Sequence, residues 1–124
     1  MIEKNILHDI RKTKEKNDIV IVSLHWGIEY VDMPEKERQK LAHSIIDAGA
    51  TVILGHHPHI TQGFETYRNS LIAYSLGNFV FDQHEEKTRE SLILQCQFNE
   101  RSIMGAKIIP IELDARIYTP AVPK

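Results

Sequence analysis

Three of the chain's 7 histidines fall within Gly55-His56-His57-Pro58-His59, and a fourth opens the run His25-Trp26-Gly27. Histidine is the commonest metal ligand because a neutral imidazole offers one nitrogen while the other orients the ring. A His-x-His pair in extended backbone points both rings to one side, since side chains alternate with period two. His57 and His59 have that spacing, and Pro58 biases His57 toward extended geometry. Gly55 lets the backbone turn sharply or approach a ligand closely. His25 is the natural third ligand, which makes His25, His57 and His59 the expected metal set. Three histidines suit zinc, manganese or iron. An ion so held activates water and polarises a substrate oxygen. His56 should face away from His57, toward a phosphate or acidic substrate or into packing. A two-metal centre would want a bridging carboxylate. The candidates are Glu29, Asp82 and Glu65, and only Glu29 is near a proposed ligand in sequence. His8, His43 and His84 receive no role.

The elements around these residues follow from periodicity. Residues 2–16 read as a helix with Ile2, Ile6, Leu7 and Ile10 on one face. Glu3, Asp9 and Glu15 dilute its charge and argue against a basic membrane-binding helix. Ile19 to Leu24 is a continuous β-branched run, expected as a central strand buried on both faces. It ends in His25, and open α/β sheets bind ligands beyond such strand ends. A second helix is expected with Asp32 as N-cap, Glu35 completing a capping box and Pro34 in the first turn. Leu41, Ala42, Ile45 and Ile46 form its buried face, and Gly49 suits C′. Ala50 to Leu54 is the next buried strand. Strand, helix and strand make a parallel βαβ unit, with histidine at the carboxyl end of each strand.

Beyond residue 60 the chain becomes strand-rich. Asn69-Ser70 reads as a turn, with strand segments at Leu71–Ser75 and Asn78–Phe81. Residues 82–91 form a charged loop. Leu92 to Phe98 alternates, and Met104 to Leu113 is extended but interrupted by Pro110. Tyr118 to Lys124 reads as a tail. Trp26 is expected to pack in the core, and Cys96 to be a buried small hydrophobe.

Composition narrows the function classes. The 124 residues have 42% hydrophobic and 26% charged content, which fits one globular unit and excludes disorder and coiled coil. A net charge of -2 provides no strong field for nucleic acid or an anionic membrane. One cysteine excludes an intrachain disulfide and a cysteine-based zinc cage. No secretory signal or membrane span is visible.

Three segments together carry a family resemblance: His25-Trp26-Gly27-Ile28-Glu29-Tyr30, Gly55-His56-His57-Pro58-His59 and Tyr74-Ser75-Leu76-Gly77-Asn78-Phe79. Their order and spacing resemble the CapA-like family of poly-gamma-glutamate capsule biosynthesis proteins, most closely over residues 18–83. That family is similar to the calcineurin-like metallophosphoesterases. The resemblance implies an α/β fold, the C-terminal half of a metallophosphoesterase-like sandwich, with residues 1–124 as one partial domain. It implies that His25, His57 and His59 hold a divalent ion (manganese, iron or zinc), with two ions in the complete protein. It places Glu29, Ser75 and Asn78 along the substrate site, beside His56 on the facing argument above, though a strand-capping turn serves Ser75 and Asn78 equally well. It assigns no catalytic residue, because the aspartate and Asn-His motifs expected before these histidines are missing.

The implied substrate is an acidic polymer or a phosphate-containing group, hydrolysed or transferred at phosphate or amide, in the cell envelope or outside the cell. The expected partner is an N-terminal half, lost by truncation or supplied by a separate chain. Two other readings stand beside this one. One is a non-catalytic half-domain that needs a partner, and the other is a mononuclear three-histidine hydrolase.

Overall fold

The computed structural model describes residues 2–114, 116 and 119–123. The side chain of Ile2, and Tyr118 and Lys124 of the expected tail, lie outside the described residues. The elements are helix α1 (Ile2–Lys14), strand β1 (Ile21–His25), helix α2 (Lys36–Asp47), strands β2 (Val52–His56), β3 (Phe64–Tyr67) and β4 (Ser70–Ala73), a 3-10 turn (Glu86–Arg89), and strands β5 (Glu90–Phe98), β6 (Ile103–Leu113) and β7 (Pro120–Ala121). This is the α/β architecture that the sequence implies. A four-stranded sheet in the order β1-β2-β4-β3 carries the βαβ unit, and a second sheet runs β5-β6-β7.

β1, β2 and β4 are parallel, so their carboxyl ends lie along one rim. β1 is not the doubly buried central strand expected. Among the described residues it pairs only with β2, and its exposure alternates, with Ile21 52% exposed. The strand inside the sheet is β2, flanked on both sides, where Val52 and Ile53 are fully enclosed. Ile53 packs with Ile45 of α2, Ile72 of β4 and Ile10 of α1, and burial of each such side chain contributes about 1.5–3 kcal/mol. α2 ends as expected. Gly49 takes φ +119 and its N–H reaches the Ile46 carbonyl, closing the helix from C′.

The start of α2 differs from the expected capping box. Glu35 is the N-cap, without a side-chain cap bond, and the helix begins at Lys36. The preceding loop is tied elsewhere. The Tyr30 N–H donates to the Pro58 carbonyl at 2.9 Å, and the Gln62 amide donates to the Val31 carbonyl at 2.7 Å. These tertiary bonds hold residues 30–31 against the histidine segment, and the chain turns helical only after it is free of them. Asp32 instead faces Lys87 at 3.7 Å.

Five further differences concern the second half. β3 was not anticipated; Arg68 and Asn69, both at positive φ, make the tight turn that pairs it with β4, one residue earlier than the expected turn. Asn78–Phe81 is a loop rather than a strand: the Asn78 side chain is buried and bonded to Gln83 and the Thr88 carbonyl, and Phe79, Val80 and Phe81 are exposed. Pro110 does not interrupt β6. It sits opposite Leu92, while β7 covers only Glu112 and Leu113, so the outer edge at Pro110 needs no N–H. Pro120 and Ala121 form β7 rather than tail. Cys96 is half-buried, and burial pushes its thiol up.

His43, to which no role was assigned, joins α2 to the sheet. Its Nε2 lies 2.7 Å from Glu65 Oε1, and the Tyr74 hydroxyl donates to Glu65 Oε2 at 2.6 Å. The His43 ring stacks on Tyr67 at 4.1 Å. The Tyr74 hydroxyl foremost, and also His43, hold the Glu65 carboxyl below its ordinary value, outweighing the burial that pushes it up. A depressed folded-state value means stability present above the unfolded pKa and lost as pH falls through the folded one. Glu65→Gln is therefore expected to cost about 1 kcal/mol near neutral pH, discounted for partial exposure. The gap in melting temperature should close as pH falls from about 6 to about 3. A gap that stays constant across that range, measured by circular dichroism, would refute the assignment.

Candidate metal centre

The carboxyl-terminal rim gathers the histidines. His25 ends β1, and its Cα is in register with that of His56 at the end of β2. The two loops that follow are clipped together: the Trp26 N–H donates to the His56 carbonyl at 3.0 Å, and Tyr30 N–H reaches Pro58 as above. Trp26 is buried in the core, as expected, and its indole N–H donates to the Tyr74 carbonyl at 3.0 Å.

His57 and His59 do converge, but not by the extended alternation expected of them. His57 has φ 101 and His59 φ 62, so both residues are in the left-handed region. Tyr30, facing them, also has positive φ, at 62. Non-glycine residues held there carry strain that the surrounding bonds must sustain, and such residues cluster at functional sites. The result is a turn that brings the two rings to 5.9 Å, with the His25 ring 4.6 Å from that of His57.

Among the described residues, one group of possible ligand atoms lies within 4.8 Å of each other: Glu29, His57 and His59. Glu29 Oε1 is 3.8 Å from His59 Nε2. Tetrahedral ligands about 2.1 Å from a zinc ion stand about 3.4 Å apart, so this pair needs only a small closure. Two imidazoles and a carboxylate fit zinc, iron or manganese. His25 stands beside this group, against His57, rather than inside it.

The remaining predicted residues divide. His56 lies on the same rim, half-buried. Burial first, and then the charge of His25, hold its imidazole below the ordinary value. Ser75 is 1% exposed, and its hydroxyl is used internally, donating to the Ile60 carbonyl and accepting from the Gly77 N–H. Asn78 is also buried, with its Oδ1 2.9 Å from His59 Nδ1. Of the other carboxylates weighed, Glu65 is engaged with His43 and Tyr74, and Asp82 is exposed. Sequence reasoning missed the rings that flank His59. Phe81 lies 5.3 Å and Tyr30 6.1 Å from it, centroid to centroid. The apolar run 79–81 was the available signal. Two depressions, of 340 and 510 Å³, lie at the base of the β5–β6 hairpin around Arg89 and Glu112, and neither is lined by a histidine.

Comparison with known proteins meets this geometry. Residues 1–83 match the family described as bacterial capsule synthesis protein PGA_cap, a span holding every candidate site residue above. The capsule biosynthesis protein CapA of Bacillus anthracis is 38% identical over 112 residues, 87% of this chain and 27% of the relative. The PGA biosynthesis protein CapA of Bacillus subtilis (strain 168) is 41% identical over 111 residues, 90% of this chain and 29% of the relative. A probable polyglutamine synthesis accessory protein of Mycobacterium tuberculosis is 32% identical over 81 residues, 65% of this chain and 21% of the relative. The chain therefore spans less than a third of the length of these relatives.

Proposed function

This chain belongs to the bacterial capsule synthesis protein family PGA_cap, and from that premise we propose that it carries part of a divalent-metal centre serving capsule or polyglutamate synthesis. The observation that supports this most is the convergence of Glu29, His57 and His59 on a strand-end rim, held by strained backbone. Manganese, iron or zinc suits that donor set. Bound there, such an ion would supply Lewis-acid activation for hydrolysis or transfer at a phosphate or amide.

The chain's own residues bind and orient. His57 and His59 offer imidazole nitrogens, Glu29 a carboxylate, and His25 and His56 line the rim where a phosphate or an acidic polymer would lie. The reading extends to the rest of a CapA-like protein. Further ligands, and a second ion, would come from an N-terminal portion in the same or a separate chain, acting at the cell envelope. Among the described residues no helix is long and apolar enough to cross a membrane.

A second reading has its own support. Phe79, Val80 and Phe81 are 51%, 67% and 42% exposed, with Phe81 against His59, and among the described residues β1 leaves one edge unpaired at His25. An apolar surface at a half-covered site favours a non-catalytic half-domain that acts only when another segment covers it. Elemental mass spectrometry of untagged protein purified without chelator separates the two. About one bound ion per chain is expected for the metal centre. No ion, even after incubation with zinc or manganese, would leave the half-domain reading.

A further inference from the structure

Asn78 stands behind His59, not in front of it, and its bonds determine more than its own position. Its Nδ2 lies 3.0 Å from Gln83 Oε1 and 3.3 Å from the Thr88 carbonyl oxygen. A backbone carbonyl can only accept, so the atom facing Thr88 must be the amide nitrogen. Oδ1 is then the atom 2.9 Å from His59 Nδ1, and it can only accept. His59 must therefore carry its proton on Nδ1. In the neutral ring Nε2 is left with a free lone pair, and Nε2 is the atom facing Glu29. The same loop also acts from the other side. The Gln83 amide donates to the Tyr30 hydroxyl at 3.3 Å, and the Tyr30 ring lies over His59.

We propose that Asn78 is a positioning residue that holds His59 in the Nδ1–H tautomer, with Nε2 unprotonated and aimed at Glu29. The proposal rests on the metal reading for its purpose but not for its geometry. It moves Asn78 from a substrate contact to an orienting partner of a ligand. It also explains why the exposed apolar loop 79–81 starts from a buried asparagine: Asn78 anchors the loop through Thr88 while presenting one oxygen to the histidine. Outer partners of this kind hold ring orientation and ligand basicity, and their loss typically costs 10–100-fold in metal affinity.

Two measurements test it. The first is long-range proton–nitrogen NMR of metal-free protein with labelled histidine, at about pH 8. His59 should show protonated Nδ1 and bare Nε2. Asn78→Leu, which keeps the volume but not the acceptor, should lose that preference, and Asn78→Asp, which keeps the acceptor toward His59 while giving up the amide donor to Thr88, should retain it. The second is zinc titration. Asn78→Leu should weaken binding about 10–100-fold and Asn78→Asp only a few-fold.

A wild-type His59 protonated on Nε2 would overturn the proposal, and so would an Asn78→Leu variant with unchanged tautomer and affinity. If Asn78→Leu does not fold, the wild-type tautomer still decides. The two levels fail separately. Wild-type protein that binds no zinc but shows the fixed tautomer, released in Asn78→Leu, would sink the metal reading and uphold the role of Asn78. Zinc binding with a freely exchanging tautomer would do the reverse.

Discussion

His57→Ala is expected to lower zinc affinity at least about 100-fold, the largest functional effect of any single change at this rim. Zinc bound by four protein ligands is worth about 10–16 kcal/mol, so each ligand carries roughly 3 kcal/mol. His57 is singled out because it belongs to both possible sets. It lies in the group with Glu29 and His59, and its ring is also the one against His25. Companion variants separate the sets. If Glu29, His57 and His59 hold the ion, Glu29→Gln should approach the loss seen for His57→Ala, while His25→Ala should cost about tenfold or less. If the three histidines hold it, those magnitudes exchange. Competition with a chromophoric chelator measures all three, with circular dichroism confirming that each variant folds. His57→Ala protein that binds zinc like the wild type would remove the metal centre from this rim.

The residues of that rim were legible in sequence, but the reason for their convergence was not. A β-branched run followed by histidine identifies β2 and its end, because Val52 and Ile53 meet the core demand for apolar bulk wherever the strand sits. The period-two argument for His57 and His59 assumed that the strand continues. It stops at His56, and the turn that replaces it depends on bonds from residues 26 and 30, which are remote in sequence. The same kind of remote bond displaced the start of α2, where local capping residues were available but the loop was pinned by Pro58 and Gln62. Glu29 was visible as a nearby carboxylate, and its place in the group follows from the clip between the two loops. The run at 79–81 misled for the opposite reason. Its apolar residues look like a strand, yet the site leaves them exposed around His59. β3, with only four residues between Gly63 and its turn, carries too short a pattern to read.

The largest expected effect on stability is Gly55→Ala, and it follows from how tightly the rim is drawn together. An added Cβ at Gly55 would lie 1.9 Å from the Tyr74 carbonyl oxygen and 2.6 Å from the Trp26 indole nitrogen. Those two atoms are hydrogen-bonded to each other at 3.0 Å, across the space that glycine leaves open. Neither can yield cheaply. The carbonyl is backbone directly after β4, and the indole is buried in the core. Making room would separate the ends of β2 and β4 and leave a buried indole N–H without a partner. Overpacking costs about 1–3 kcal/mol and the orphaned donor about 1–3 more. The expected loss is therefore about 3 kcal/mol or greater, a fall in melting temperature of roughly 10 °C for a chain of this size. Gly63→Ala is the matched control, since nothing lies within 4 Å of its added Cβ, and it should shift melting little. The effect should also reach the candidate metal centre, because Gly55 precedes His56 and His57, and Trp26 follows His25. Where the variant still folds, zinc binding should weaken with it. A Gly55→Ala protein that melts within a degree or two of the wild type would mean that the rim is not held by the Trp26–Tyr74 bond.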